Sequence, residues 1–145
     1  MKRERSRLSC WKPGSVSVQT SPERLNVPPK RIAFGGRSFG GRACSVAVAE
    51  GLPAAALVLL SYPLHPPGKP DKLRIEHFPD IKVPSLFVSG MKDPFGAEDE
   101  FAEHVEAIKG RVEFEWVPGG HSPKGQDDAI VTMIRRFFGL PKVDR

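Results

Sequence analysis

The chain has 145 residues, of which 39% are hydrophobic and 27% charged, and a formal net charge of +5. That length suits one ordinary domain, able to bury a core without disulfides or metals, and the composition excludes a wholly disordered chain. The longest apolar run, Leu52 to Leu60, falls well short of the roughly 18 residues a membrane helix needs, so no membrane-spanning role is expected.

The charge is unevenly placed. Residues 1–30 carry seven Lys/Arg against two Glu, whereas residues 31–145 carry fifteen against fifteen. The whole excess therefore lies in Met1–Lys30, which reads as a basic, proline-containing, poorly ordered leader ahead of a neutral folded part, residues 31–145. The leader has no apolar stretch of the kind a secretory signal needs. Within it, Ser15-Val16-Ser17-Val18-Gln19-Thr20 alternates as one edge strand would. The body lacks a basic stripe with interleaved aromatics, so no nucleic-acid partner is expected. Two cysteines, Cys10 and Cys44, make no disulfide framework, so a reducing, cytoplasmic setting is expected.

From Lys30 onward, strands and helices alternate. Arg31–Gly35 is a short apolar strand. Phe39–Glu50 is helical, rich in small residues and stopped by Gly51. Ala55–Tyr62 is apolar on both faces, as a buried parallel strand must be. Pro63–Asp80 is a proline-rich loop, and Pro84–Gly90 is a second buried strand. Ala97–Lys109 is an acidic-first amphipathic helix, with Phe101, Val105 and Ile108 on one face. Val112–Val117 alternates, like a strand nearer the sheet edge. Asp127–Phe138 closes the chain as a helix with Ile130, Met133, Ile134 and Phe137 inward. The order implies an α/β fold, a mostly parallel sheet with helices on both faces.

Gly36-Arg37-Ser38-Phe39-Gly40 is a Gly-x-Ser-x-Gly lying between a strand and a helix. In that context it is a nucleophile elbow, a tight turn that lifts the serine above the sheet. A side chain at either glycine would collide in such a turn. The serine also sits at a helix N-terminus, where backbone N–H groups, Phe39 first, stabilise a developing oxyanion. No Walker lysine follows and no Gly-x-Gly-x-x-Gly is present, so phosphate-loop and dinucleotide readings fail.

A serine nucleophile needs a base, and the base needs an orienting acid. On this kind of sheet the chain order is serine, acid, histidine. Asp93 follows the strand ending at Gly90, and His121 follows the strand ending at Val117. Both are strand C-terminal ends, where a parallel sheet places its functional groups. His65 and His77 lie in the proline-rich loop and His104 on a helix, which makes them poorer bases. Glu98 and Asp99 complement a helix dipole, and Cys44 is core filler. No His/Cys spacing suits a metal, so neither metal nor organic cofactor is expected.

The stretches Gly35–Arg42, Leu59–Gly68, Leu86–Gly90 and Asp93–Gly96 resemble the α/β-hydrolase superfamily. The likeness is to a dienelactone-hydrolase-like subgroup related to a subunit of the non-specific-lethal chromatin complex and to testis-expressed hydrolase-like proteins. It covers about residues 28–140, the C-terminal half of that fold. The resemblance implies Ser38 as nucleophile, Asp93 as orienting acid and His121 as base. The group commonly has an acidic residue before the histidine, where this chain has Gly120. The family's N-terminal strands, which bring the loop with the second oxyanion donor, are not found. A truncated gene product is expected, with Arg31–Gly35 as an exposed edge open to self-association or a partner chain.

The reaction expected is hydrolysis of a small-molecule ester or similar acyl bond, with Tyr62 and His65 contributing to the substrate pocket. The alternative is a non-catalytic, hydrolase-like interaction module.

Overall fold

The computed structural model describes residues 26–142. The expected strand at residues 15–20, Cys10 and most of the basic leader lie outside the described residues. Four strands, β1 (Ala33–Arg37), β2 (Ala56–Leu60), β3 (Ser85–Gly90) and β4 (Val112–Val117), form one sheet in the order β1-β2-β3-β4. Every pairing is parallel. Three helices accompany them: α1 (Phe39–Ala49), α2 (Glu98–Val105) and α3 (Asp127–Phe137).

Strand order and handedness decide which face each helix covers. Four strands laid down side by side, each joined by a right-handed crossover, put all three connections on one face. There α1, the loop after β2 and α2 enclose Leu57, Leu59, Tyr62, Phe78, Phe87 and Phe101. The chain's last helix is free of that constraint. It covers the opposite face, with Ile130 and Phe137 against Ala56, Leu86, Val88 and Val117. Helices on both faces of a parallel sheet are therefore what the structure shows.

Several boundaries differ from the sequence reading by one to four residues. β1 begins and ends two residues later than expected, at Ala33 and Arg37. Gly36, read as the start of the turn, belongs to the strand together with Gly35. A Cβ on Gly35 would stand 2.5 Å from the Val58 carbonyl oxygen, so glycine serves strand-to-strand approach at that point. α2 stops at Val105 rather than Lys109. The N–H groups of Lys109 and Gly110 both donate to the Ile81 carbonyl, which pulls the chain out of the helix and toward β4. Ile108 is still buried.

The proline-rich loop is tied to α1 by a polar contact inside the core. The Ser45 hydroxyl donates to the Arg42 carbonyl at 2.8 Å and accepts from His77 Nε2–H at 2.8 Å. Burial, then the charge of Arg42, pushes His77 from its ordinary 6.5 down to about 4. The unfolded chain thus takes up a proton more readily than the folded one. His77 leaves stability undiminished above pH 6.5 and erodes it as pH falls toward 4. The His77 imidazole is expected to titrate near 4 by NMR, and the melting temperature is expected to fall over that window less steeply in His77→Gln. An imidazole titrating at the ordinary value would refute this.

Candidate active site

Three loops at the C-terminal edge of the sheet bring three side chains into one hydrogen-bonded line. Ser38 stands between β1 and α1, at φ 52° and ψ −122°. Few non-glycine residues hold such a backbone, which costs about 1–3 kcal/mol. It is held there from both sides: its N–H donates to the Leu60 carbonyl at 2.8 Å, and its carbonyl accepts from Arg42 N–H at 3.1 Å.

The sharp turn depends on glycine at two positions, Gly36 and Gly41. A Cβ on Gly36 would lie 2.7 Å from the Gly40 carbonyl carbon, and one on Gly41 would lie 2.6 Å from the Gly36 oxygen. A Cβ on Gly40 would meet nothing within 4 Å. The expectation that both glycines of Gly-x-Ser-x-Gly are sterically required is thus corrected. Gly41, one residue beyond the motif, carries the constraint assigned to Gly40, because it is where α1 crosses β1.

Asp93 and His121 come from the loops after β3 and β4, which stay joined beyond the strands. Met91 N–H donates to the Val117 carbonyl at 2.9 Å, and Lys92 N–H to the Gly119 carbonyl at 2.9 Å. The Asp93 carboxylate is 1% exposed. It accepts from His121 Nδ1–H at 3.0 and 2.9 Å through its two oxygens. Because a carboxylate only accepts, this fixes the imidazole with its other nitrogen free to accept. Ser38 O–H donates to that Nε2 at 2.8 Å. Phe39 occupies the first position of α1, where helix geometry leaves the N–H without an intrahelical acceptor. Gly120 before His121 leaves the line closed.

Tyr62 and His65 are placed differently from the sequence expectation. Tyr62 is wholly buried among Phe78, Phe87 and Phe101, and its hydroxyl donates to the Arg74 carbonyl at 2.6 Å. Burial raises its phenol well above the ordinary range. The substrate contact expected of it is not available to a ring facing the core. His65 is 5% exposed, with Nδ1 against the Pro66 carbonyl at 2.8 Å and Nε2 3.2 Å from Glu100. Its backbone N–H donates to the Phe95 carbonyl. His65 therefore braces the Asp93 loop rather than lining a pocket.

Glu100, which the sequence reading does not single out, is the partner of His65. It also accepts from Ala97 N–H at 2.7 Å, which closes the brace. An acidic residue three positions after a helix start is a capping signal that was legible in the sequence. Phe95 was missed as well: its N–H donates to Asp93 Oδ1 at 2.9 Å, and its ring lies 4.1 Å from that of His121. The Asp-Pro-x turn signals the first contact, and nothing in the sequence signals the second. Among the described residues, no group of three or more His, Cys, Asp or Glu side chains is arranged to hold a metal ion. No described helix is long and apolar enough to cross a membrane.

The His65–Glu100 brace has a defined pH window. Burial pulls His65 down, but the Pro66 carbonyl and Glu100 outweigh it, so its value ends above 6.5. The Ala97 N–H, against desolvation, brings Glu100 below 4.5. The histidine's contribution to stability is complete below pH 6.5 and disappears as pH rises through its raised value. The carboxylate's contribution is present above pH 4.5 and disappears as pH falls through its lowered one. The melting temperature gap between wild type and Glu100→Gln is expected to be widest between those values. A gap that stays constant with pH would contradict the ion pair.

For the elbow, Gly41→Ala is expected to lose about 1–3 kcal/mol in urea unfolding, as overpacked sites do. Gly40→Ala is expected to be neutral or slightly stabilising, since alanine favours a helix. Equal losses would contradict the crossing geometry.

A family described as an alpha/beta hydrolase domain matches residues 15–131. Among solved structures, a dienelactone hydrolase from Anabaena variabilis is 22% identical, with 82% of this chain and 52% of that one covered at a TM-score of 0.60. An acylaminoacyl peptidase from Pyrococcus horikoshii is 15% identical, with 84% and 26% covered at 0.60. Acetyl xylan esterase 1 from Thermoanaerobacterium is 13% identical, with 77% and 47% covered at 0.59. At these identities the likeness is one of fold. This chain spans between a quarter and about half the length of these three.

Proposed function

We propose that this chain, which belongs to the alpha/beta-hydrolase domain family, is a serine hydrolase acting on a small ester or similar acyl bond. The observation that carries the reading is the line Ser38–His121–Asp93, closed by hydrogen bonds of 2.8 and 2.9 Å. His121 Nε2 takes the proton of Ser38 as Oγ attacks the substrate carbonyl carbon. Asp93 holds the imidazole and stabilises its charged form. The oxyanion of the tetrahedral intermediate accepts from Phe39 N–H. His121 then returns the proton to the leaving oxygen, which frees an alcohol and leaves an acyl-serine. Water, deprotonated by His121, reverses the sequence and releases the acid.

Two exposed apolar side chains at this edge of the sheet favour an apolar acyl group. Phe39, beside the nucleophile, is 71% exposed, and Met91, two residues before Asp93, is 64% exposed. Each follows a strand end on the side where Ser38 lies. Two cysteines in the whole chain suit a cytoplasmic setting.

A second reading has its own support. Ala33, Gly35 and Arg37 are exposed on β1, which pairs only with β2 among the described residues. A hydrolase-like module covered along that edge by a second copy or another chain would bind without turning over.

A fluorophosphonate probe, which labels only an activated serine, separates the two. Labelling of the purified chain and turnover of a short-chain aryl ester are expected, both abolished in Ser38→Ala. A folded wild type that stays unlabelled would overturn the hydrolase reading and favour the module.

A further inference from the structure

We propose that Phe95 is a positioning residue that locks Asp93 and His121 together, gripping the acid with its main chain and the base with its ring. This rests on the hydrolase reading of Ser38, His121 and Asp93. Its N–H donates to Asp93 Oδ1 at 2.9 Å, the same oxygen that lies 3.0 Å from His121 Nδ1. Its ring centroid stands 4.1 Å from the imidazole centroid, with 32° between the planes. One residue thus sets both ends of the Asp93–His121 hydrogen bond.

The two contacts do different work. A carboxylate can rotate, and a fixed donor on Oδ1 selects the rotation in which both oxygens meet the imidazole. An imidazole held by hydrogen bonds at both nitrogens can still rock about the line joining them. A ring pressed against one face removes that motion, so Nε2 stays aimed at Ser38 Oγ. The face of an aromatic ring also attracts the imidazolium that forms when His121 holds the serine proton. That attraction grows as the reaction proceeds, so its removal should act on turnover more than on binding.

Phe95 is itself anchored. Its carbonyl accepts from His65 N–H at 3.1 Å, and Gly96 beside it is pressed so closely by Phe101 that a Cβ there would lie 2.7 Å from the Phe101 ring. The loop that carries the ring is therefore held to the core, and the ring meets the imidazole.

Phe95→Leu keeps apolar bulk and the backbone donor but removes the aromatic face, and Phe95→Tyr keeps the face. Phe95→Leu is expected to slow fluorophosphonate labelling and lower kcat by roughly 10- to 100-fold with KM little changed. It should also displace the His121 ring-proton signals in NMR, while far-UV circular dichroism stays that of wild type. Phe95→Tyr is expected to recover most of the rate and the signals. A rate and His121 signals unchanged in Phe95→Leu would overturn the proposal, as would a Tyr variant as impaired as the Leu one. A wild type that is never labelled, yet whose His121 signals move in Phe95→Leu and return in Phe95→Tyr, would sink the hydrolase reading and leave the positioning contact standing.

Discussion

The backbone ladder that runs past the ends of the strands is the constraint on which the site depends. Ser38 N–H reaches the Leu60 carbonyl, Ser61 N–H the Val88 carbonyl, and Met91 N–H the Val117 carbonyl. These bonds carry the parallel register of the sheet into the loops, so residues distant in sequence come to a common level. Parallel strands all end on the same side, and the ladder then decides how far beyond the sheet each side chain stands. The strained backbone of Ser38 persists because hydrogen bonds on both sides of it leave no other conformation available.

Beneath the ladder lies an aromatic floor. Tyr62, Phe78, Phe87 and Phe101 are wholly buried or nearly so, with Phe114 and Trp116 packed against them. Phe87 stacks on Phe114, and Phe101 meets Tyr62, Phe87, Phe114 and Trp116. Such rings interlock with few alternative arrangements. The Asp93 loop sits on this floor through Gly96, where the absence of a side chain lets Phe101 and Leu64 close in. Core packing and site geometry are therefore one problem here: a shift of Phe101 would be felt at the carboxylate.

The sequence was most readable where chain position alone determined placement. Ser38, Asp93 and His121 each follow a strand, and strand ends are recognisable from apolar runs that stop at small residues. Side-chain direction was another matter. Tyr62 also follows a strand end, but Ser61 takes φ 49° and the chain turns its ring inward. Nothing in the residue types announces that a serine will adopt a glycine-like backbone. His65 was legible as a polar group near the site, yet its partner Glu100 lies on α2, and that pairing exists only once the sheet has brought the two together. Gly40 and Gly41 are chemically identical neighbours. Which of them is sterically required depends on the phase of α1 as it crosses β1, which a motif written as spacing does not record.

The serine and the histidine that share a hydrogen bond are 83 residues apart in the chain. Contacts of that separation form late in folding, because their loop-closure entropy must be met by structure already in place. The Asp93–His121 contact spans 28 residues and can form as soon as β3 and β4 pair. The acid–base half of the line is thus the more local unit, and the nucleophile joins it only across the full width of the sheet. On the proposed reading, a nascent or partly unfolded chain holds an ordinary, unreactive serine. The chemistry proposed for this site would in effect be a readout of completed assembly, silent in every intermediate that lacks β2 between the two halves.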